Sequence, residues 1–516
     1  MASASQRSHT SGSALRSGTI YTLAQTAPRI VSFLLLPLFT HVLSPSDYGQ
    51  LSVALSIGSV ASIVFALGLD VIVFRNLYQL AGDPIARQRF IGSVWTFLLI
   101  TPMTMAILLA IGFAPLLSNS QVLSASRFAL TLVGAAFFVS ATNVPLAFLR
   151  AEERLRDYLL VTGLFTLGST LLTVAFVAFA HGGVVGWLLA VLVANVLTLL
   201  LSMRLIPYRR PAPFDRMMVK RALKMSLPIL PHYTAMWSLQ LVDRLLVAGL
   251  LSTASAGLYG LASNLALPML GMSMGFSQGF MPSYAQAGVR GNRSDSLSRV
   301  MAMQVGIVAV LCVTCALLGP SAVHLLTNAR YVRAAPLVPW IVLGYGFLGL
   351  YGVPMNGITL THGRTRGVAM VSGLGAGTNI GLIVLLGPRY GLEAVAIASA
   401  IGYFVLLVGI LAFAKLRDAT LDYPWYRIVA ILSVAAAGYA AGALTVGDRG
   451  VLDLALRSCW AVVTSACIAA IIFYPQLPSI YTLRRAVSPS RGRSLDGRSE
   501  TVSPPAQNAT TGSGTS

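Results

Sequence analysis

The residues of this sequence that could do chemistry are a few ionisable side chains deep inside long apolar stretches. Arg29 lies about twelve residues into the first stretch, near its middle if that stretch is a helix rising ~1.5 Å per residue. At the centre of a membrane, an unpaired arginine costs roughly 2.5–3.5 kcal/mol on insertion scales. Arg29 is therefore expected either to face water and bind an anion or to pair with a carboxylate.

Asp243 and Arg244 form a second group of deep charges, in the seventh stretch. Neighbouring residues on a helix point about 100° apart, so one is expected to face a cavity and the other a neighbouring helix. Two roles are open for Asp243: a proton or sodium site, or neutralisation of Arg29 or Arg244. The pairing role is preferred, because an adjacent arginine favours the ionised carboxylate and opposes its protonation.

Amide and proline side chains accompany these charges. Four amides could hydrogen-bond a polar ligand and complete the set of candidate binding residues: Gln25, Gln240, Asn264 and Gln278. Proline interrupts the bonding of a helix and permits kinks. The candidate hinges are Pro28, Pro37, Pro228 and Pro231.

About fourteen apolar stretches of roughly 20 residues hold these side chains, and this is the length that a helix needs to cross a bilayer. The sequence is 56% hydrophobic and 10% charged, with a mean hydropathy of +0.76. A backbone in hydrocarbon must satisfy its own hydrogen bonds, as a helix does. The sequence therefore predicts an all-α, multi-pass membrane protein.

The basic residues predict the orientation in the membrane. Most of the 36 lysines and arginines fall in the termini and in alternate connectors, whereas few lie in the other connectors: Arg127, Arg330, Arg333, Arg389, Arg449 and Arg457. By the positive-inside rule, both termini are expected to be cytoplasmic. The net charge of +20 then reflects contact with anionic membrane lipids, and no nucleic-acid partner is expected.

An internal repeat predicts the architecture. Residues 44–52 and 255–263 superimpose, pairing Tyr48 with Tyr259, Gly49 with Gly260 and Ser52 with Ser263. Each repeat spans six apolar stretches, an even number, so we expect two six-helix lobes related by a pseudo-two-fold axis along the membrane normal.

The repeat also defines domain boundaries. We expect a disordered cytoplasmic tail over 1–17, an N-lobe over 18–206, a basic linker over 207–224, a C-lobe over 225–415, helices 13 and 14 over 416–475, and a disordered cytoplasmic tail over 476–516. Glycine lets membrane helices approach closely. The glycines expected at such contacts are Gly68, Gly163, Gly279 and Gly373.

Several classes of function do not fit this sequence. No connector is long enough to form a catalytic domain, and no lysine follows the glycines of a phosphate-binding loop. We expect no catalytic residue, no metal site and no cofactor, so the protein is predicted not to be an enzyme.

Two segments carry a resemblance to a known family. Residues 36–49, Leu-Pro-Leu-Phe-Thr-His-Val-Leu-Ser-Pro-Ser-Asp-Tyr-Gly, and residues 149–158, Leu-Arg-Ala-Glu-Glu-Arg-Leu-Arg-Asp-Tyr, resemble the polysaccharide (O-antigen type) flippases of the multidrug/oligosaccharidyl-lipid/polysaccharide exporter superfamily. The resemblance covers about residues 15–475. It implies a fourteen-helix, two-lobe fold in which helices 1, 2, 7 and 8 line a cavity.

The resemblance further implies transport of a polyprenyl-pyrophosphate-linked oligosaccharide across the cytoplasmic membrane for exopolysaccharide or related polysaccharide biosynthesis. A polysaccharide polymerase and glycosyltransferases are the implied protein partners. A basic, water-filled cavity suits a pyrophosphate group, and amides suit sugars. The alternatives are a cation-coupled drug antiporter of the same superfamily, a membrane glycosyltransferase or polymerase, and a non-transporting scaffold.

Overall fold

The computed structural model describes residues 31, 33–80, 82–117, 122–206, 214–290, 295–361, 367–416, 422–444 and 450–473. Within these ranges the chain forms helices and no β-strand, as the sequence predicts. Residues up to Ile472 belong to one compact unit, and Phe473 belongs to a second one. Both predicted tails lie outside the described residues, as do Gln25, Pro28 and Arg29.

The helices of the first half are α1 (Leu36–Val42), α2 (Pro45–Ala66), α3 (Leu69–Gln79), α4 (Pro84–Leu117), α5 (Ala125–Phe138), α6 (Val144–Ala151), α7 (Leu155–Thr173), α8 (Gly183–Leu205) and α9 (Arg216–Ser226). A π-helical turn over Val139–Asn143 joins α5 directly to α6. A second π-helical turn over Val174–Phe179 extends α7.

The helices of the second half are α10 (Leu230–Leu250), α11 (Thr253–Arg290), α12 (Asp295–Leu326), α13 (Leu337–Asn356), α14 (Val368–Leu416), α15 (Trp425–Leu444) and α16 (Gly450–Phe473). Helix α14 is interrupted at Gly391, whose φ of 77° and ψ of −158° are not helical. Glycine tolerates this conformation because it has no Cβ.

The structure supports a multi-pass membrane protein. Among the described residues, ten helical segments are long and apolar enough to cross a bilayer: α2, α4, α5 with α6, α7, α8, α12, α13, α14, α15 and α16. Helices α10 and α11, of 21 and 38 residues, have sufficient length as well.

The segment predicted to be a linker is partly helical. Helix α9 begins after Asp215, whose carboxylate accepts hydrogen bonds from the backbone N–H groups of Met217 and Met218. Its apolar side packs against α3 and α4, so Val219 and Ala222 are buried. A single 3₁₀ turn over Leu227–Ile229 then leads into α10. The predicted linker and the first membrane helix of the second half are therefore almost continuous.

Three of the four predicted hinge prolines fall in described residues. Pro37 is in the first turn of α1 and follows further helical residues, 33 and 34, from which a turn at Leu35 separates it. Pro228 lies in the 3₁₀ turn before α10, and Pro231 lies in the first turn of α10. All three mark helix beginnings, and their role as hinges stays a prediction.

The segment 44–49 that carries the family resemblance begins α2 and docks it. The Ser44 hydroxyl accepts a hydrogen bond from the backbone N–H of Asp47, and the Asp47 carboxylate accepts one from the backbone N–H of Ser44. This reciprocal cap satisfies two N–H groups that would otherwise lack partners. Tyr48 and Gly49, which follow the cap, face α11.

Helices α2 and α11 pack closely at their N-terminal ends. A Cβ on Gly49 would overlap the Thr253 carbonyl, and a Cβ on Gly257 would overlap the Pro45 carbonyl. The Ser46 and Thr253 hydroxyls are 2.9 Å apart. We call this region, residues 45–52 of α2 and 253–264 of α11, the α2–α11 contact. It depends on glycine, because any larger residue would separate the two backbones.

Three of the four glycines predicted to lie at close helix–helix contacts do not lie at one among the described residues. A Cβ on Gly163, Gly279 or Gly373 would meet no atom of another segment within 4 Å, so the prediction is wrong for these three. At Gly68, a Cβ would lie 3.2 Å from the Ser226 carbonyl oxygen, so the backbones do approach closely there. Composition alone does not tell which face of a helix a glycine occupies.

Helix α2 belongs to two different cores. Its first half contributes Leu51 and Val53 to a core that contains residues of α10 to α14. Its second half contributes Ala61 and Phe65 to a core formed with α3 to α9. The helix therefore connects the two halves of the chain.

The second resemblance segment, 149–158, forms a tight turn held by charges. Arg154 contacts Asp157 at 2.6 Å and Glu152 at 3.6 Å, and Glu152 lies 3.4 Å from Arg87 of α4. Arg154 also donates to the backbone carbonyl of Leu205 at the end of α8. These charges join α4, α7 and α8, so the segment has a structural role.

Candidate functional site

A cluster of hydrogen bonds surrounds Asp243 on α10. The Tyr259 hydroxyl donates to its Oδ2 at 2.6 Å, and the Ser399 hydroxyl lies 2.7 Å from the same atom. The Asn379 amide donates to Oδ1 at 3.1 Å. Asp243 is only 3% exposed. Both carboxyl oxygens of Asp243 are therefore engaged by side chains of α11 and α14.

The Asp243 cluster has further oxygen atoms that could bind a ligand. The Oδ1 atom of Asn379 and the Tyr403 hydroxyl are buried and have no hydrogen-bond partner. Asp243, Tyr259, Ser399 and Tyr403 border a void of about 10 Å³, which is the space that one water molecule needs. Carboxylate, carbonyl and hydroxyl oxygens are the ligands of hard cations. The chemistry that this cluster permits is therefore binding of a cation or a proton.

Arg244 is buried separately from Asp243. It is 6% exposed, and its Nε and Nη2 atoms have no hydrogen-bond partner. It lies against the α2–α11 contact, with Nε 3.9 Å from the position of a Cβ on Gly260. No ion pair joins Asp243 and Arg244 among the described residues. Asp243 is held by Tyr259, Asn379 and Ser399 and not by an ion pair with Arg244. Its pairing with Arg29, which lies outside the described residues, stays a prediction.

A cavity of about 560 Å³ lies between α10 and the helices of the first half. Residues of α2, α5, α8 and α10 line it. Its polar side chains come from all four helices and from the π-helical turn after α5: Ser59, Ser62, Thr131, Asn143, Asn195, Tyr233, Trp237 and Gln240. None of its described lining residues is a carboxylate, a lysine or an arginine. A ligand there would be recognised by neutral hydrogen bonds and apolar contact.

One face of α10 connects this cavity to the α2–α11 contact. Tyr233, Trp237, Gln240 and Arg244 are spaced by four, three and four residues, so they lie on one side of the helix. The first three line the cavity, and Gln240 also borders the void beside Asp243.

The structure separates the sequence-predicted binding residues. Gln240 lines the cavity. Asn264 is engaged at the α2–α11 contact, where its amide donates to the Tyr48 hydroxyl at 2.7 Å. Gln278 is exposed in the C-terminal half of α11. Neither Asp243 nor Arg244 is among the described lining residues of this cavity, whereas Asp243 borders the small void beside Gln240. The expectation that one of the two faces a transport cavity stays a prediction.

Comparison with known families decides the family of this chain. Residues 14–287, more than half of the sequence, match the family described as polysaccharide biosynthesis protein. The chain belongs to this family. Among curated proteins, an uncharacterized membrane protein of Methanocaldococcus jannaschii is 23% identical over 229 residues. That match spans 42% of this chain and 44% of the relative, less than half of either protein.

Solved structures share the fold of this polysaccharide biosynthesis protein. The lipid II flippase MurJ in an inward closed conformation superimposes with a TM-score of 0.69, covering 88% of this chain and 98% of that one at 15% identity. An inward-facing multidrug resistance MATE family transporter of the MOP superfamily superimposes with a TM-score of 0.58, covering 78% and 98% at 16% identity. The resemblance inferred from the sequence motifs is confirmed.

Several residues of the site were not predicted from the sequence of this family member. Tyr259 was noticed as part of the repeat and not as a partner of Asp243. Nothing in the sequence indicated that Asn379 and Ser399 are partners of Asp243, because they lie far along the chain in an apolar helix. Trp237 and Asn195 gave only a weak signal, as polar or amphipathic residues inside apolar stretches. Their position on α10 relative to Gln240 could have indicated Trp237, since the two are three residues apart.

Proposed function

We propose that this protein is a flippase that moves a polyprenyl-pyrophosphate-linked oligosaccharide across the cytoplasmic membrane by alternating access. The observation that carries the proposal is the 560 Å³ cavity, whose apolar described lining is interspersed with uncharged polar side chains, next to a tightly closed α2–α11 contact. A polar headgroup needs such a cavity to cross the apolar core of a bilayer. A contact that closes one end of the cavity is what alternating access requires.

Membership of the polysaccharide biosynthesis family supports a substrate that contains a glycan. The arginines inside the apolar stretches support an anionic substrate. Arg244 has two unpartnered guanidinium nitrogens beside the α2–α11 contact, and a guanidinium binds phosphate oxygens in pairs. We propose that Arg244 and Arg29 attract the pyrophosphate, while Gln240 and, in other conformations, Gln25, Asn264 and Gln278 contact the sugars. An inside-negative potential favours outward movement of an anion by about 2.3 kcal/mol per charge per 100 mV.

The proposal includes the finer architecture inferred from the sequence. Fourteen membrane helices in two six-helix lobes, with a C-terminal helix pair, would have both termini in the cytoplasm. In that orientation the α2–α11 contact lies at the extracytoplasmic end. Movement of one lobe against the other would use the prolines Pro28, Pro37, Pro228 and Pro231 as hinges. Glycosyltransferases would act before transport, and a polysaccharide polymerase would act after it.

A cation-coupled antiporter of small molecules is the second candidate, and the Asp243 cluster is the observation that favours it. A buried carboxylate beside an unpartnered amide oxygen could bind a cation or a proton. The cavity favours the flippase, however, because a cationic drug would find no carboxylate among its described lining residues. Cation binding at Asp243 could also drive a flippase.

Deletion of the gene tests the proposed function. We expect lipid-linked oligosaccharide to accumulate on the inner leaflet of the cytoplasmic membrane, measured with a membrane-impermeant glycan-modifying reagent on intact cells and on inverted vesicles. Re-expression of the full chain should remove the accumulation. Normal glycolipid distribution together with increased sensitivity to cationic drugs would reject the flippase and favour the antiporter.

A further inference from the structure

Two unsatisfied groups of opposite hydrogen-bonding character lie around the large cavity. Within the part of the chain that the structure describes, the indole Nε1–H of Trp237 on α10 is a donor without a partner, and Oδ1 of Asn195 on α8 is an acceptor without a partner. Both residues line the cavity. Buried polar atoms are rarely left unpaired in a folded protein. We propose that this pair is a recognition site for one uncharged sugar unit of the transported glycan, an inference that rests on the proposed function.

The Asn195 amide is a built part of the protein and not a mobile surface group. The side chain is 0% exposed, and its Nδ2 atom lies 3.4 Å from the backbone carbonyl of Gly134 on α5, to which it donates. That contact uses the donor end of the amide. The oxygen end is left to accept a hydrogen bond from a ligand, and a hydroxyl or an acetamido N–H of a sugar would supply it.

Trp237 has the chemistry of a sugar platform. An indole ring combines a large apolar face with a polar N–H, and a pyranose ring combines an apolar C–H face with polar hydroxyls. Tyr233 lies one helical turn before Trp237 on the same face of α10, and Gln240 lies nearly one turn after it. A sugar stacked on Trp237 would have its edge groups within reach of both neighbours.

Three further hydroxyls of the cavity already use their hydrogen within their own helix. Ser59, Ser62 and Thr131 each donate to a carbonyl of their own helix, at 2.7, 2.8 and 2.8 Å. Their oxygen lone pairs are the part left for a ligand. These oxygen atoms suit sugar hydroxyls, which can donate. They do not suit a carboxylate, which only accepts.

The described lining residues carry no charge, and this affects which sugars the cavity can accept. The described lining residues include no cation that could compensate a buried carboxylate, and an uncompensated buried charge is strongly unfavourable. A uronic acid at this position would face the Asn195 oxygen and the three hydroxyl oxygens. The site therefore selects a neutral hexose or acetamido sugar over a uronic acid.

The test uses the purified full-length protein in liposomes with two defined probes. One probe is a polyprenyl-pyrophosphate carrying an N-acetylhexosamine, and the other carries a hexuronic acid on the same lipid. Binding and transbilayer movement are measured for each. We expect the wild-type protein to favour the neutral probe by about tenfold or more, since a site built around hydrogen bonds rejects a ligand that leaves them unpaired.

Variants at Trp237 assign the preference to the proposed residues. Trp237→Ala should weaken binding of the neutral probe by about tenfold, and Trp237→Phe, which keeps a ring but loses the N–H, should lie between Trp237→Ala and wild type. Asn195→Leu should reduce the neutral preference without improving uronate binding. The matched control is Trp340→Ala, since Trp340 lines a different, apolar groove formed by α12, α13 and α15. Trp340→Ala should leave both probes unaffected.

The outcomes separate this inference from the proposed function. Equal handling of both probes by the wild type, or normal binding by a well-folded Trp237→Phe and Trp237→Ala, rejects the neutral-sugar site while the flippase stands. If the wild-type protein binds and moves neither probe, the proposed function fails and this inference fails with it. A loss seen equally in Trp340→Ala would show a general effect of removing an indole and would also reject the inference.

Discussion

The α2–α11 contact and the large cavity share helix α2 but differ in how their polar atoms are satisfied. At the contact, Ser46 bonds Thr253, and Tyr48 bonds Asn264. Further along α2, Ser59 and Ser62 border the cavity, which also contains the unpartnered atoms of Trp237 and Asn195. One region is complete within the protein, whereas the other lacks partners that a ligand could supply.

The α2–α11 contact therefore holds the conformation of the protein, whereas the cavity is the region suited to bind a ligand. Direct hydrogen bonds and backbone contact make the α2–α11 contact rigid, so its opening must break several interactions together. The cavity requires no such rearrangement to accept a polar ligand. Arg244 lies on the same face of α10 as the cavity residues and beside the α2–α11 contact.

Locking the contact should have the largest effect. Ser46→Cys with Thr253→Cys, in a background where Cys312, Cys315, Cys459 and Cys467 are serine, should form a disulfide under oxidation, because the two hydroxyl oxygens are only 2.9 Å apart. Transport should stop completely and return on reduction. Each single cysteine variant is the control and should stay active. Full transport by the oxidised double variant would mean that the contact does not open during the cycle.

Preventing the contact from closing should have the next largest effect. Gly257→Val places a side chain against the Pro45 carbonyl, and such overpacking costs about 1–3 kcal/mol. Transport should therefore fall roughly 5- to 150-fold, and a cysteine at Ser46 should react faster with a thiol reagent. Gly279→Ala on the same helix, where a Cβ meets no atom of another segment within 4 Å, is the control. Equal losses in both variants would contradict the close-packing explanation.

Removing the charge of Asp243 should have a substantial but smaller effect on stability. Asp243→Asn weakens hydrogen bonds from Tyr259, Asn379 and Ser399, and a bond to a charged group contributes about 1.5–3 kcal/mol. We expect lower thermal stability and loss of any dependence of transport on an ion gradient.

The same experiment distinguishes the roles considered for Asp243. Because Asp243 and Arg244 form no ion pair among the described residues, a second change, Arg244→Gln, should not restore the stability of Asp243→Asn. A restored protein would revive the pairing role. Unchanged gradient dependence in Asp243→Asn would exclude Asp243 as the coupling site.

The smallest effect is expected from the hydrogen bond between Asn264 and Tyr48. Asn264→Ala and Tyr48→Phe each remove a bond of 2.7 Å, which is worth about 0.5–1.5 kcal/mol. Thermal stability of the purified protein should fall modestly in each single variant. In the double variant the two losses should be less than additive, since both changes remove the same bond. Additive losses would show that the bond does not contribute.

Much of the fold could be predicted because it depends on local properties. The apolar stretches had the right length for membrane helices, and the cap residues Ser44 and Asp47 occur in a recognisable motif. The repeat singled out Gly49 and Gly260, both of which do lie at the α2–α11 contact. The linker was predicted incompletely, because its helical part is short and strongly charged.

The site was predicted less well, since its contacts join distant parts of the chain. Asp243, Arg244 and Gln240 stood out as polar residues within an apolar stretch. Their partners did not, because hydropathy does not tell which face of one helix meets another. For the same reason the sequence did not show that Asp243 and Arg244 form no ion pair among the described residues, and the pairing of Asp243 with Arg29 stays a prediction.

Helix length, apolar composition and motif order are properties of the chain, so they already indicate a helical protein of this family that crosses the membrane several times. The contacts of Asp243 with Tyr259, Asn379 and Ser399 become visible in the folded molecule. The same holds for Trp237 and Asn195, which border one cavity. These arrangements depend on how helices pack, and packing depends on the shapes of all the facing side chains together.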